Sequence, residues 1–345
     1  MNFSSDNVTG ISPEIFAALA AANSGSQSSY GADALTARVS RRLAEIFEHE
    51  VAVFPVATGT AANALALATL VPPWGVVYCH HEAHIVVDEC GAPEFYAGGA
   101  KLVGIAAPHG KICAGDLAPL LPGGKGVVHH MQPAAISLTQ ASETGTVYRA
   151  DEIAALAELA RRHALGVHVD GARFANAVAH LGCAPADITW RAGIDVLSFG
   201  ATKNGAAAAE AVIFFDRAKA ADFEFRRKRG GHLLSKMRFL SAQLDAYLDN
   251  DLWLRNARHA NAMATRLADG LAGITGVHLR HPVEANEVFA EMPNPMIEAL
   301  FAKGFSFYRW DGERGNCVRL VTAFDTAPSD VDALLVTARS VNRYG

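Results

Sequence analysis

The sequence predicts an α/β fold with a mostly parallel sheet, followed by a small α+β domain. Between about residues 50 and 215, short β-rich runs alternate with helical patterns, and beyond about residue 250 a long helix precedes several short strands. Alternating strands and helices are typical of parallel sheets that are covered by helices on both faces. We therefore expect an amino-terminal arm and helix over 1–45, a large α/β domain over 46–250 and a small domain over 251–345.

Apolar periodicity and turn residues predict the individual elements. Helices are expected over 13–22, 34–47, 60–70, 149–164 and 252–272, after His84 and after Ser329. Strands of the large domain are expected at "VAVFPVA", "VVYC", "KLVGI", "GVVHH", "AAISLTQ", "LGVHVD", "IDVLSFG" and "AVIFF". Those of the small domain are expected at "VHLR", "ANEVFA", "FSFYRW" and "NCVRLVT".

Composition favours a cytoplasmic protein that acts on small molecules. The 345 residues carry a net charge of −5 with mixed signs, which gives no concentrated basic surface for nucleic acid. The sequence contains no run of about 18 apolar residues, so it predicts no membrane span. The first residues, "MNFSSDNVTG", do not resemble a secretory signal. The five cysteines are widely spaced without a CxxC pair, so we expect neither a disulfide framework nor a metal site.

The stretch "VATGTAANALAL" predicts an anion-binding turn. It places Thr58, Gly59 and Thr60 between a strand and the first turn of a helix. Backbone amides and the positive end of the helix dipole meet there, and glycine permits close approach of a phosphate. The alternative interpretation is a simple threonine cap beside a turn glycine.

Two further strand ends carry charged residues. Asp170 ends the strand of "GVHVDGARFANA", and a carboxylate there needs a positive partner, either a protonated ring nitrogen of a ligand or Arg173. Lys203 follows "DVLSFG" among small uncharged residues, a setting that can lower the pKa of a lysine so that it attacks carbonyls. An anion-binding turn, a strand-end carboxylate and a sheltered lysine together predict a site for pyridoxal 5'-phosphate.

Histidines add candidates for ring stacking and proton transfer. His80 and His84 have helical spacing, but the HExxH motif of zinc enzymes is absent, so a metal site is disfavoured. We expect His84 to lie against the cofactor ring or to be a structural histidine. His129, at the end of the strand predicted for "GVVHH", is a second candidate base.

With these residues assembled, nearly the whole chain resembles the low-specificity L-threonine aldolases. These are fold-type I, aspartate-aminotransferase-like pyridoxal phosphate enzymes, related to the β-eliminating lyases. The resemblance rests on "FSSDNVTG", "SSYGADALTARVSRRLAEIF", "FPVATGTAANALAL", His84 with "DECG", "LGVHVDGARFANAV", Lys203 and "NCVRLVTAFD". It implies cleavage of threonine, allo-threonine or a phenylserine-like substrate to glycine and an aldehyde, in a homodimer or homotetramer with shared active sites.

The resemblance also implies residue roles. Lys203 would bind the cofactor aldehyde, Asp170 the pyridine nitrogen and His84 the ring face, while His84 or His129 would be the base. Phosphate would be bound by Thr58, Gly59 and Thr60, and the substrate carboxylate by Ser5, Arg173 and Arg319, with Arg173 also near the cofactor. The basic cluster Arg226, Arg227, Lys228 and Arg229 would suit a phosphate of the same or a neighbouring subunit, or else a solvated helix face.

Three departures from the family pattern are visible. The segment around the lysine is "GATKNG", where the family often has "LSKG". The family's Glu-Asn-Thr is replaced by Thr139, Gln140 and Ala141. A stretch that is rich in glycine in the family contains fewer glycines here, in "RGGHLLSK". Other reactions of the same cofactor, β-elimination or amino transfer, stay open, as does a non-catalytic relative that uses the fold for binding.

Overall fold

A computed structural model of the chain describes residues 1–121 and 123–341. The helices are α1 Pro13–Ala22, α2 Ala34–Ile46, α3 Gly59–Leu70, α4 His84–Val87, α5 Ala92–Tyr96, α6 Ala114–Leu117, α7 Ala150–Arg162, α8 Phe174–Leu181, α9 Phe223–Arg229, α10 Arg238–Leu248, α11 Leu252–Ala272, α12 Asn294–Ala302 and α13 Pro328–Val341. The strands are β1 Ala52–Val56, β2 Gly75–His80, β3 Lys101–Ile105, β4 Gln132–Thr139, β5 Gly166–Gly171, β6 Val196–Gly200, β7 Glu210–Phe214, β8 His278–Leu279, β9 Glu287–Glu291, β10 Tyr308–Arg309 and β11 Cys317–Val321.

The first seven strands form one sheet in the order β1-β7-β6-β5-β4-β2-β3. Strands β2 to β6 run parallel, whereas β7 is antiparallel to both β6 and β1. The predicted α/β fold with a mostly parallel sheet is therefore confirmed. Within the described ranges, no helix combines the length and the apolar character that a membrane crossing needs.

A second, antiparallel sheet has the order β10-β11-β9-β8 and packs with α11, α12 and α13 around its own core. The amino-terminal arm belongs to this core, because Phe3 is only 1% exposed there. The amide of Phe3 donates to the Ser306 carbonyl at 2.7 Å, and the amide of Val321 donates to the Phe3 carbonyl at 2.8 Å. These two bonds attach the amino-terminal arm to the second sheet. The predicted domain boundaries stay predictions.

The strand predicted for "GVVHH" is wrong. Turns and bends occupy residues 123–130, and the Gln132 side chain holds them together. It accepts from the Gly126 amide at 2.7 Å and donates to the carbonyls of Gly124, Val127 and His130. Glycines at 123, 124 and 126 favour turns over a strand, and β4 begins only at Gln132.

The core of the large sheet contains a neutral histidine. His168 on β5 is fully buried between Ser137 on β4 and Ser198 on β6, with ring nitrogens 2.8 and 3.0 Å from the two hydroxyl oxygens. Burial lowers the pKa of His168 to about 4. The unfolded chain binds a proton at this side chain near pH 6.5, so the folded state is favoured above that pH and loses stability as the pH falls toward 4.

Replacing His168 by Gln should therefore reduce the acid sensitivity of folding. Between pH 7.5 and pH 5, the free energy of unfolding of the parent should fall more than that of the variant, by about 2 kcal/mol. Denaturant unfolding of the cofactor-free chain at both pH values measures the difference. His180→Gln, at an exposed position, is the control, and equal acid sensitivity of the parent and His168→Gln would contradict the interpretation.

Candidate active site

A pocket of about 380 Å³ lies at the carboxyl ends of the parallel strands. The end of β4 is in register with the end of β5 through the pair Thr139 and Asp170, so both strands deliver side chains to one edge. Ligands bind at this edge in open α/β sheets. The predicted site residues that line the pocket are Thr58, Gly59, Thr60, His84, Asp170, Arg173 and Lys203.

The amino terminus of α3 forms one wall of the pocket. The Thr58 hydroxyl caps the helix by accepting from the Ala61 amide at 3.1 Å. The amides of Gly59 and Thr60 have no acceptor among the described residues. A Cβ at Gly59 would meet no atom within 4 Å, so the space beside it is open. This wall can bind an anion through two free amides and the helix dipole.

Asp170 lines the same pocket as a buried carboxylate. It is 4% exposed, and its two oxygens accept from the Asn63 side-chain amide at 2.7 Å and from the Ala172 amide at 3.0 Å. No cationic side chain pairs with it within the described ranges, because Arg173 turns instead to other carboxylates. Asp170 is therefore free to bind a positively charged ring nitrogen of a ligand.

Lys203 follows β6 in a short 3-10 turn, Thr202–Asn204, that ends at Gly205. Gly205 has φ +112°, and a Cβ there would lie 2.3 Å from the Ser12 hydroxyl oxygen, so this turn requires glycine. Among residues 1–121 and 123–341, no acceptor binds the Lys203 amine. The amine faces the pocket half-buried and unpaired, as a nucleophilic lysine must.

His84 begins α4 and is oriented by a buried carboxylate. Its Nδ1 lies 2.9 Å from Oε1 of Glu89, and the same oxygen accepts from Asn63 at 2.9 Å. The bond to Glu89 raises the pKa of His84 above its ordinary value, in opposition to burial. Since the carboxylate accepts at Nδ1, the nitrogen Nε2 is the one available as a base. Asn63 connects this pair to Asp170.

Two more acidic side chains line the pocket. Glu143 accepts from the Thr139 hydroxyl at 2.7 Å and from the His84 amide at 2.9 Å, and its second oxygen is buried without a partner. Glu210, at the start of β7, accepts from the Ala201 amide at 3.1 Å. Burial raises the pKa of each carboxyl to about 7.

Arg173 enters the pocket from the start of α8, held by two buried carboxylates. Its Nε and Nη2 donate to Asp6 at 2.8 and 3.0 Å, and Nη1 lies 3.3 Å from Oε2 of Glu287. Burial opposes the charge of Arg173, yet Asp6 and Glu287 raise its pKa above the ordinary value. Nη1 is the part of the guanidinium that is not engaged by Asp6.

Ser5 and Arg319 lie next to the pocket without lining it. The Ser5 hydroxyl caps the turn Asp6–Val8 by accepting from the Asn7 amide at 3.1 Å. Arg319 on β11 donates to the Ser4 carbonyl at 3.2 Å and stacks on the rings of Tyr308 and Trp310. Both residues thus flank the arm that carries Asp6.

The structure does not bring His129 to the pocket of its own chain. This residue is exposed in the turns that precede β4, while the pocket lies at the opposite end of that strand, about 23 Å away along its length. The assumed position at a strand end is wrong because the chain turns before Gln132. The role of His129 as a base stays a prediction.

The basic cluster on α9 also lies away from this pocket. Arg227 is buried, donates to the Pro55 carbonyl and to Glu224, and packs over the Phe54 ring. Lys228 lies over the Tyr30 ring at 4.6 Å. None of residues 226–229 lines this pocket, and a role of the cluster toward a phosphate of the same or a neighbouring subunit stays a prediction. Arg227 is structural.

Comparisons with known proteins agree with this geometry. The profile of the beta-eliminating lyases matches residues 2–294. A low specificity L-threonine aldolase of Pseudomonas aeruginosa is 46% identical over 98% of this chain and 96% of its own length, and one of Pseudomonas sp. strain NCIMB 10558 is 45% identical over 98% and 97%. The solved threonine aldolase of Leishmania major superposes with a TM-score of 0.92 at 28% identity, over 99% of both chains.

This chain belongs to the beta-eliminating lyase family and groups with the low-specificity L-threonine aldolases. The resemblance stated from the sequence is confirmed, and the fold-type I architecture with it.

Several residues in and around this aldolase-family pocket are not among those that the sequence predicts for the site. Asn63 follows Thr60 by three positions on α3, which places both on one helix face, and Glu89 stands within the quoted "DECG" segment. Asp6 stands within the quoted "FSSDNVTG". No local signal marks Glu143, Glu210 or Glu287, which become part of the site only through tertiary contacts.

The pocket of this family member fits pyridoxal phosphate. Its residues offer free helix amides for a phosphate, an unpaired amine for an aldehyde and a carboxylate without a cationic partner for the ring nitrogen. Buried oxygens of Glu89 and Glu143 lack partners. Among the described residues there is no group of three or more potential ligands that could hold a metal ion.

Changing Glu89 to Gln should lower the pKa of His84 in this aldolase-family chain, because the carboxylate that stabilises the imidazolium is lost. Titration of the cofactor-free protein by NMR, with labelled histidine and with the His84 signal assigned from a His84→Asn variant, measures the shift. Asp88→Asn removes an exposed charge from the adjacent position and should leave the titration unchanged. An unaltered His84 pKa in Glu89→Gln would refute the assignment.

Proposed function

We propose that the protein cleaves the Cα–Cβ bond of L-threonine, L-allo-threonine or related β-hydroxy-α-amino acids to give glycine and an aldehyde, with pyridoxal phosphate as cofactor. The observation that carries the proposal is the meeting of Lys203, Asp170, Arg173 and the α3 amino terminus in one pocket. The threonine aldolase names of the Pseudomonas relatives support it.

Each wall of the pocket has a role in holding the cofactor. The amides of Gly59 and Thr60, beside Thr58, would bind the phosphate, Lys203 would bind the aldehyde covalently and Asp170 would bind the ring nitrogen. His84 would bind the face of the ring. When bound, the cofactor supplies an electron sink for the pair released from the broken Cα–Cβ bond.

The side chains of the protein orient the substrate and move its protons. Arg173, with Arg319 and Ser5 beside the arm, binds the substrate carboxylate and so decides which bond at Cα stands in the reactive orientation. His84 Nε2 accepts the proton of the β-hydroxyl, directly or through water, while Glu89 stabilises the resulting imidazolium. The Lys203 amine is a nearby group that can return a proton to Cα.

Lys203→Ala should remove both the yellow absorption of the cofactor-loaded protein and the cleavage of L-threonine. Turnover should fall by at least about 10⁴-fold, as for the loss of a covalent catalytic group. Absorption spectra and an acetaldehyde assay measure the two effects, and Lys101→Ala, at an exposed position on β3, is the control. Cleavage of threonine by Lys203→Ala at the parent rate would refute the proposal.

Product analysis separates the proposed reaction from its rivals. With L-threonine as substrate, the proposal requires acetaldehyde and glycine in equal amounts. Ammonia with a keto acid would indicate elimination, and a new amino acid formed from an added keto acid would indicate amino transfer. A protein that stays colourless with added pyridoxal phosphate would indicate a non-catalytic relative.

Arg173→Lys should raise the KM for L-threonine by roughly tenfold to a hundredfold, because a charge-assisted hydrogen bond is lost. Lysine cannot hold Asp6 through two parallel bonds and also present a free donor to the substrate. Steady-state kinetics measure the change, and Arg266→Lys, in an exposed pair with Asp332, is the control. An unchanged KM would exclude Arg173 from carboxylate binding.

We also place the protein in the cytoplasm as a homodimer or homotetramer with shared sites. All five cysteines are free and two of them are exposed, which suits a reducing compartment. Phe95 on α5 and Phe225 on α9 are 79% and 76% exposed beside one cleft, an apolar surface that a second copy would cover. Sedimentation of the purified protein tests the assembly.

A further inference from the structure

Glu287 is a buried carboxyl between two arginines that leave it without a hydrogen bond. It starts β9, is 1% exposed, and neither of its oxygens has a hydrogen-bond partner. Arg173 approaches to 3.3 Å without the geometry of a hydrogen bond. A buried, unsatisfied acid between two groups expected to bind the substrate carboxylate needs a physical explanation.

Arg319 flanks Glu287 from the neighbouring strand. In the register of β9 and β11, Glu287 pairs with Val321 and Phe289 with Arg319, so Glu287 and Arg319 are diagonal neighbours on one face. Such neighbours lie within reach of long side chains. Nε of Arg319 is buried and has no acceptor. Nε of Arg319 and the carboxyl oxygens of Glu287 are therefore buried polar atoms of neighbouring side chains that both lack a hydrogen-bond partner.

The two arginines and the two carboxylates of this cluster balance one another in charge. Arg173 and Arg319 carry two positive charges and Asp6 and Glu287 carry two negative ones, and Lys203 is a further cation that acts on Glu287. A substrate carboxylate would add one uncompensated negative charge in a site shielded from water. Removing such a charge from water costs free energy unless other charges or hydrogen bonds compensate it.

We propose that Glu287 takes up one proton from solvent when the substrate carboxylate binds to Arg173 and Arg319. The carboxylate of Glu287 becomes a neutral carboxylic acid, the two arginines are released to the substrate, and the net charge of the cluster is unchanged. The proposal rests on the proposed function, because it concerns the same carboxylate site. It makes Glu287 a charge-balancing residue rather than a catalytic one.

The contacts explain why Glu287 and not Asp6 accepts this proton. Asp6 accepts two bonds from Arg173 and one from Asn286 at 3.0 Å. Although burial favours its neutral form, Arg173 and Lys203 hold the pKa of Asp6 below the ordinary value. Burial raises the pKa of Glu287 above its ordinary value in spite of Arg173 and Arg319. Protonating Glu287 breaks no hydrogen bond.

The linkage has a definite sign. A bound carboxylate raises the pKa of Glu287 further, so binding takes up a proton between the pKa of the free site and that of the occupied site. Substrate affinity therefore falls as the pH rises through this interval, by at most about tenfold per pH unit. Glu287→Gln has no proton to take up and should lose this part of the pH dependence.

Calorimetry with glycine tests the proposal on the pyridoxal phosphate-loaded protein. Glycine carries the same carboxylate and amine as the substrate but has no bond to cleave. Titrations in two buffers of different ionisation enthalpy give the number of protons taken up. The parent should take up more protons than Glu287→Gln, by a difference that approaches one, and at alkaline pH the variant should bind glycine more tightly than the parent.

Kinetics give a second readout on the same variants. In Glu287→Gln the KM for L-threonine should rise less steeply with pH than it does in the parent. Glu291→Gln makes the same charge change at the far end of β9 and should behave as the parent. If Glu287→Gln does not fold, Glu287→Met, with similar volume and no charge, takes its place.

The outcomes separate this proposal from the proposed function. A parent that cleaves L-threonine, with the same proton uptake and pH dependence in Glu287→Gln as in the parent, overturns the role of Glu287 and leaves the function intact. A parent that neither binds glycine nor forms acetaldehyde overturns both. A proton difference that Glu291→Gln reproduces also overturns it, since the effect would then be long-range.

Discussion

The buried positive charge of Arg173 is the constraint on which the arrangement of the site depends. Asp6 from the amino-terminal arm and Glu287 from the second sheet both approach this guanidinium, which itself leaves the end of β5. A buried charge is tolerated only with such partners. The ion pairs therefore hold three parts of the chain together at one point, beside the carboxylate of Asp170. Because Arg173 pairs with Asp6 and Glu287, no arginine neutralises the carboxylate of Asp170, which remains available to a positively charged ligand.

Much of the fold and part of the site follow from local sequence. Helices α1 and α11 begin and end where their apolar periodicity predicts, and the strands that end at Asp170 and near Lys203 form as expected. In a parallel sheet these ends must meet at one edge. Residues that follow predicted strands are therefore expected to lie near one another, even when they are far apart in the sequence and their side-chain contacts are not known. For this reason the sequence predicts that Thr58, Asp170 and Lys203 share one site, and all three line the same pocket.

The rest could not be read from the sequence because it depends on partners that are far apart along the chain. Glu287 and Arg173 are buried together, yet nothing near either residue indicates the other. Glu143 and Glu210 look like ordinary surface acids until the fold encloses them. The error at His129 has a different origin: "GVVHH" has the composition of a strand, but the side chain of Gln132 satisfies the carbonyls of the preceding residues and so favours turns.

The amino-terminal arm links the edge of the second sheet to the chemistry of the first. Phe3 is anchored in a hydrophobic core, and three residues later Asp6 holds the arginine of the pocket. A substitution that removes Phe3 from this core should therefore also loosen Asp6, and with it the guanidinium of Arg173.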